Sequence, residues 1–195
     1  MNVAIIKYNA GNICSVENAM KRIGQDAVLT DNPDVIRAAD KVILPGVGEA
    51  GTAMQYLRAH GLDALIRSLK QPTLGICIGL QLFCAYSEEG DTECLGIFDE
   101  RVSRFRPGAH KIPHMGWNTI LTKESPLFAG LDGETYVYYV HSYCAQLGEH
   151  TIATTDYVQP FSAALHRDNF YALQFHPEKS AQAGEQILKN FLKLA

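Results

Sequence analysis

Short apolar runs alternate with segments of helical periodicity through the first half of this chain, and that alternation leaves few folds open. Residues 2–8, 27–30, 41–44 and 73–76 are the apolar runs, rich in Val, Ile and Leu. Between them, Ile13, Val16, Met20 and Ile23 recur at helical spacing, with Gly24 as a stop. Asn32-Pro33 pairs an N-cap residue with a proline at the first helical position. Residues 50–70 and 80–86 also read as helical. Strands that alternate with helices predict an α/β fold: a mostly parallel sheet flanked by helices on both faces, of flavodoxin-like type.

The second half changes character. Residues 95–105, 117–122, 136–142, 151–155, 162–166 and 170–175 read as short strands separated by turn residues, an additional antiparallel region. Ile187, Leu188, Phe191 and Leu192 then form the apolar face of a closing helix. No repeat, linker or low-complexity tract interrupts residues 1–195, a length that suits a single domain. Residues 104–113 are the most loop-like stretch.

Charge and hydropathy exclude several classes. A net charge of −4 argues against a nucleic-acid binder and against a polybasic membrane anchor. The apolar start is too short for a secretory signal. The most apolar stretch, 74–86, contains Gly75, Gly79 and Gln81 and falls short of a bilayer span. A cytoplasmic address is therefore expected. The five cysteines, Cys14, Cys77, Cys84, Cys94 and Cys144, show no C-x-x-C spacing. Free thiols are expected, four of them as small core residues.

Cys77 stands apart because Gly75-Ile76-Cys77-Ile78-Gly79 lies between the fourth strand and its helix. This is the cysteine form of the G-x-S-x-G nucleophile elbow. A strand turning sharply into a helix leaves the nucleophile at a strained apex, where side chains on its neighbours would meet backbone. The thiol is then exposed at the carboxyl edge of the sheet, where ligands bind in open α/β folds. The helix N-terminus favours a thiolate, and the Ile78 N–H is placed to donate to an oxyanion.

A cysteine nucleophile needs a base, and the base needs a group to fix its tautomer. Gln174-Phe175-His176-Pro177-Glu178 ends the last strand, and in extended chain the two-residue spacing sets His176 and Glu178 on one face. His60, His110, His114, His141, His150 and His166 lack such a setting. Pro45-Gly46-Val47-Gly48 follows the third strand at the same sheet edge. Its glycines let backbone amides turn toward a ligand, as an oxyanion loop requires.

Together these motifs resemble the class I, triad-type glutamine amidotransferases, over nearly the whole chain. Four further segments resemble the glutaminase subunits of imidazole glycerol phosphate synthases more narrowly. They are Gly11-Asn12 with Ser15-Val16, Pro113-His114-Met115-Gly116-Trp117-Asn118, Val140-His141-Ser142-Tyr143, and Gln174 through Ser180. The resemblance implies that Gln81 and Glu89 hold the amino-acid part of glutamine, with Glu88 an adjacent alternative to Glu89. It further implies that Gly48 meets the substrate and that the backbone of Ser142 and Tyr143 meets its carboxylate. No metal or organic cofactor is implied. The implied partner is a separate (β/α)8 cyclase subunit in a heterodimer, to which ammonia passes under shelter, and whose nucleotide ligand switches the glutaminase on. The permissive backbone around Val47 offers a hinge for that switch. Asn12 and Lys179 match interface positions. Pro113, Met115, Trp117 and Tyr138 are large apolar or amphipathic groups suited to docking, although Trp117 and Tyr138 could equally be core. Rival readings are an amidotransferase subunit of another synthase, a γ-glutamyl cysteine hydrolase and a non-enzymatic binding module.

Overall fold

The computed structural model describes residues 1–8, 13–106, 108, 110–131 and 134–195. Asn12 and the Gly11-Asn12 segment lie outside the described residues. In chain order the elements are β1 (Val3–Ile6), α1 (Ile13–Arg22), β2 (Ala27–Thr30), α2 (Pro33–Ala38), β3 (Lys41–Leu44), α3 (Ala50–Ala59), α4 (Leu62–Ser68), β4 (Thr73–Ile76) and α5 (Ile78–Phe83). There follow β5 (Tyr86–Ser87), β6 (Thr92–Glu93), β7 (Arg101–Arg104), β8 (His114–Thr122), β9 (Thr135–His141), β10 (Tyr143–Ala145), β11 (Thr151–Asp156), β12 (Pro160–Arg167), β13 (Phe170–Leu173) and α6 (Ala181–Lys193). Short 3-10 turns cover Pro126–Phe128 and Pro177–Lys179.

The main sheet runs β2-β1-β3-β4-β13-β12-β11-β8-β9. Its first five strands are parallel, and from β13 onward neighbours are antiparallel. A smaller sheet runs β10-β7-β5-β6. The α/β expectation with an antiparallel second half therefore holds. Burial explains the unbroken apolar strands. Ala4 and Ile6 of β1 join one core cluster with Val42, Leu57 and Phe83, whereas Val3 and Ile5 join the other with Ile43, Met20 and Phe191. Alternate residues thus bury into opposite layers, as a sheet covered on both faces requires.

Several local expectations are corrected. The helical stretch 50–70 is two helices, because Gly61 adopts φ +65° between them. The helix expected over 80–86 begins at Ile78 and ends at Phe83, and Tyr86 belongs to β5. The last strand stops at Leu173, before the histidine. Cys14 is exposed rather than core, while Cys84, Cys94 and Cys144 are buried, and all five thiols are free.

The arrangement that matters lies in the middle of the sheet. Strands β3, β4 and β13 are adjacent and parallel, so the segments leaving their carboxyl ends emerge side by side. Those segments are Pro45–Gly48, Cys77 and Gln174–His176.

Candidate active site

Cys77 sits at the apex between β4 and α5 with φ +54° and ψ −104°. A non-glycine residue in that region costs on the order of 1–3 kcal/mol and persists only where its surroundings hold it. Here its N–H donates to the Leu173 carbonyl at 2.7 Å, and its carbonyl accepts the Leu80 N–H at 3.1 Å. The elbow glycines have the steric purpose expected of them. A methyl group on Gly79 would lie 3.2 Å from the Leu44 carbonyl carbon and closer still to its oxygen. Helix α5 can therefore approach β3 only with glycine there.

His176 meets Cys77 from the end of β13. Its Nδ1 lies 2.8 Å from Glu178 Oε1, and both side chains are about 1% exposed. Extended geometry predicts this pairing, but the chain reaches it differently. It enters a 3-10 turn at Pro177, with His176 as its extended N-cap. The fixed φ of proline suits the first position of such a turn, which folds the carboxylate back onto the ring. The segment is fastened to β9: the His176 N–H donates to the Tyr138 carbonyl at 2.9 Å. Ser180 Oγ donates to the His176 carbonyl at 2.6 Å and accepts the Tyr138 N–H at 2.9 Å.

Burial opposes a charged His176. The Cys77 sulfur and the Glu178 carboxylate outweigh it and raise the imidazole to about 10. The Cys77 sulfur raises the imidazole by hydrogen bonding as well as by charge, although Nε2 of His176 is buried and its contact falls outside regular hydrogen-bond geometry. Such contacts often tighten only when substrate binds. Around the thiol, the Val140 carbonyl and the Gln174 amide each lie 3.9 Å from Sγ.

The loop after β3 has Gly46 at φ +154° and Gly48 at φ +149°, conformations that glycine adopts freely. Tyr8 secures its start: the hydroxyl donates to the Pro45 carbonyl at 2.6 Å. Burial drives the Tyr8 pKa up, so the phenol remains a donor. Ile78 opens α5, and the first N–H groups of a helix have no intrahelical acceptor.

A cavity of about 310 Å³ opens beside Cys77, at the small end of the usual range for ligand sites. Val47, Gly48, Ile78, Gln81, Glu89, Ser142, Tyr143 and Pro113 all line it, as do Val140 and His141. Gly46, expected among the substrate-binding residues, is instead buried against Tyr8 and Ile78 and does not line the cavity. Glu89 is half-buried, its carboxyl raised by burial, with Oε2 accepting the Ala50 N–H at 2.9 Å. Glu88 is exposed, accepts the Arg104 N–H and does not line the cavity. Gln81 donates Nε2 to the Tyr143 carbonyl at 3.1 Å and to Gln174 Oε1 at 3.3 Å. Both of its amide protons are thereby used, and the group it can offer a ligand is Oε1.

Beside the cavity, β8 and β9 carry an exposed apolar face. Met115 is 63% exposed, Trp117 52% and Tyr136 53%. Trp117 packs edge-on to Tyr138, which is half-buried, and the exposed Lys179 reaches over the Tyr138 ring. Trp117 is thus not core. Sequence reasoning missed Tyr8, Gln174 and His114. Tyr8 closes an apolar run, and Gln174 adjoins the expected base, but nothing in their neighbours marks either as meeting the loop or the thiol.

The family model for class-I glutamine amidotransferases matches residues 7–195. The imidazole glycerol phosphate synthase subunit HisH of Bacteroides fragilis is 60% identical, over the full length of both chains. The subunit of the same name from Vibrio cholerae is 44% identical, over 99% of this chain and 98% of its own. Among solved structures, a glutamine amidotransferase superposes with a TM-score of 0.76 at 18% identity, covering 98% of this chain and 97% of its own. A glutamine amidotransferase of Thermotoga maritima gives 0.66 at 17% identity, covering 98% of this chain and 82% of its own. At those identities the structural likeness speaks for the fold alone.

Proposed function

The chain belongs to the class-I glutamine amidotransferase family, and from that membership we propose that it is the glutaminase subunit of an imidazole glycerol phosphate synthase. It hydrolyses glutamine to glutamate and ammonia and supplies the ammonia to a cyclase subunit in histidine biosynthesis. The supporting observation is chemical fit. A buried Cys77–His176–Glu178 group stands at one end of a small cavity whose other wall offers Glu89, Gln81 Oε1 and the Tyr143 backbone. An α-amino acid carries an ammonium and a carboxylate, and that wall can meet both.

The Cys77 thiolate attacks the side-chain amide carbon of glutamine. The oxyanion that forms is met by the Ile78 N–H and by the loop at Val47–Gly48. His176, held by Glu178, gives its proton to the departing nitrogen, and ammonia leaves a thioester on Cys77. His176 then takes a proton from water as it attacks the thioester. Glutamate departs with the hydroxyl oxygen, and the proton returns to the sulfur–imidazole pair.

The partner is a (β/α)8 cyclase, docked on Pro113, Met115, Trp117, Tyr138 and Lys179 to form a heterodimer. Aromatic anchors of this kind dominate interface energetics. The backbone at Val47, between Gly46 and Gly48, is the hinge through which the occupied partner switches the oxyanion loop. The complex works in the cytoplasm. Among the described residues, no helix is long and apolar enough to cross a membrane.

The test is glutamate release from glutamine by the purified chain, alone and with a matching cyclase plus its nucleotide ligand, with Cys77→Ala as control. Activation that vanishes in the control is expected. Cys77-dependent glutaminase activity indifferent to that cyclase would assign the chain to a different synthase.

A further inference from the structure

One wall of the cavity is held by side chains that the proposed chemistry does not use. The Phe105 N–H donates to the Ser142 carbonyl at 3.0 Å, and Tyr143 pairs with Arg104 across β7 and β10. That register makes Tyr143 a non-hydrogen-bonded position of the ladder, so its own N–H and C=O both turn away from β7. The carbonyl accepts from Gln81 Nε2 at 3.1 Å and from His141 Nδ1 at 2.8 Å, which uses both lone pairs. The N–H of the same residue lies on the side away from β7, and Tyr143 lines the cavity.

His141 does not act alone. Its Nε2 lies 2.9 Å from Nδ1 of His114, and His114 Nε2 lies 3.3 Å from the Asn118 amide nitrogen. A carbonyl can only accept, so His141 Nδ1 carries the hydrogen. A neutral imidazole has one N–H, so the rest of the chain has one direction. Asn118 donates to His114, His114 Nδ1–H donates to His141, and His141 Nδ1–H donates to Tyr143. Protonating either ring would set two N–H donors against each other. Burial, the main cause, pushes His114 down to about 4 and His141 to about 3, in keeping with two neutral rings. His114 is also stacked between Tyr139 and Tyr157, with ring centroids 4.6 and 3.9 Å away.

We propose that His114 and His141 are positioning residues for the substrate carboxylate, a pair of fixed tautomer that holds the Tyr143 carbonyl and, through that residue's backbone, the neighbouring peptide that carries its N–H. The proposal rests on the glutaminase reading. Neither histidine touches substrate through this role. They act through Tyr143.

His114→Phe keeps a stacked ring and removes both hydrogen bonds. His114→Asn keeps a donor near the position of Nδ1. In the complex with cyclase, His114→Phe is expected to raise the glutamine KM about tenfold, the order of one lost hydrogen bond to a charged group, with kcat little changed. His114→Asn should recover most of that loss. Glutaminamide, which has no anionic carboxylate, should be turned over equally by both variants and the parent. Nitrogen NMR of the parent should show His141 as the Nδ1–H tautomer at pH 7, a readout that stands even if His114→Phe fails to fold. An Nε2–H tautomer or a charged ring there overturns the proposal. So does an unmoved glutamine KM in a folded His114→Phe variant of an active enzyme. A parent with no Cys77-dependent glutamate release overturns the glutaminase reading instead.

Discussion

Gly184→Ala sets two ordinary effects against each other, and the structure decides the sign. Gly184 lies in the first turn of α6, its N–H donating to the Ser180 carbonyl at 3.0 Å. By helix propensity alone, alanine should stabilise by about 1 kcal/mol. A methyl group at this position, however, would lie 2.7 Å from the Pro177 carbonyl carbon and 3.0 Å from its Cα, with the carbonyl oxygen nearer still. Carbons in good contact sit about 3.5–4.0 Å apart, so a separation of roughly 1 Å is missing. Both partners are backbone, and no rotamer relieves the overlap. Either α6 recedes, taking Ser180 with it, or the Pro177–Lys179 turn shifts. Both movements displace His176 or Glu178, because Ser180 Oγ bonds the His176 carbonyl and Glu178 lies in the turn. Overpacking of this kind costs about 1–3 kcal/mol, which leaves a net destabilisation of up to about 2 kcal/mol after the propensity gain. A misplacement of about 1 Å at reacting groups costs on the order of 10²-fold in rate. Urea unfolding and partner-activated glutamate release measure the two effects. A variant as stable as the parent, with unchanged kcat/KM, would refute the steric argument.

Three further perturbations probe other parts of the site. Tyr8→Phe removes the donor to the buried Pro45 carbonyl. It should cost about 1–3 kcal/mol of stability and lower kcat through a loosened oxyanion loop, and unaltered kcat and melting temperature would count against that role. His114 and His141 have folded pKa values of about 4 and about 3, below the unfolded value. Acid therefore protonates the unfolded chain first, and stability should fall as pH drops from about 6.5 toward 4, by up to about 1.4 kcal/mol per pH unit for each ring. His176 runs the other way, since its raised pKa stabilises below about 6.5 and is lost as pH rises toward 10. Urea midpoints at pH 5 and 7 should show a shallower acid loss in His114→Phe than in the parent, and equal losses would contradict the assignment. Trp117→Ala should cost the isolated chain only about 1 kcal/mol, because the residue is 52% exposed and what it loses is its cross-strand contact with Tyr138. It should weaken cyclase binding by about 2–4 kcal/mol, as an anchor residue does, and calorimetric titration with unchanged affinity would remove Trp117 from the interface.

The parallel half of the fold was legible because its strands are buried on both faces, which writes unbroken apolar runs into the sequence. Strands β5, β6 and β10 were not, since segments of two or three residues carry no periodicity and owe their pairing to tertiary neighbours. The break at Gly61 follows from one residue in left-handed geometry inside an otherwise helical pattern. Cys77, His176 and Glu178, the proposed catalytic group, could be picked out because few side-chain types suit such chemistry and two of them lie two residues apart. Their geometry was less legible, since Pro177 starts a turn where an extended chain was expected. The His114–His141 contact was invisible, because 27 residues separate the two rings. Only the β8–β9 register sets them opposite each other. Aromatics on β8 and β9 were ambiguous between core and docking because alternation alone does not say which face of a sheet is covered.

The same strand that carries the proposed docking face also holds the triad. Tyr138 turns its ring outward beside Trp117 and under Lys179, while its N–H binds Ser180 and its carbonyl binds His176. Two residues along β9, the Val140 carbonyl faces the Cys77 sulfur. A partner pressing on the outer face of β9 therefore acts on base and nucleophile through short links, the most direct being the His176 N–H bonded to the Tyr138 carbonyl. The wall proposed to meet the substrate carboxylate belongs to β10 and has anchors on β7 and α5 besides His141 at the end of β9, so only part of its support lies on the strand the partner touches. Partner docking should thus change the chemical step more than substrate binding, raising kcat while the glutamine KM moves little. Steady-state kinetics with and without the ligand-occupied cyclase separate the two. An activation carried mainly by KM would mean that β10, not β9, transmits the partner's presence.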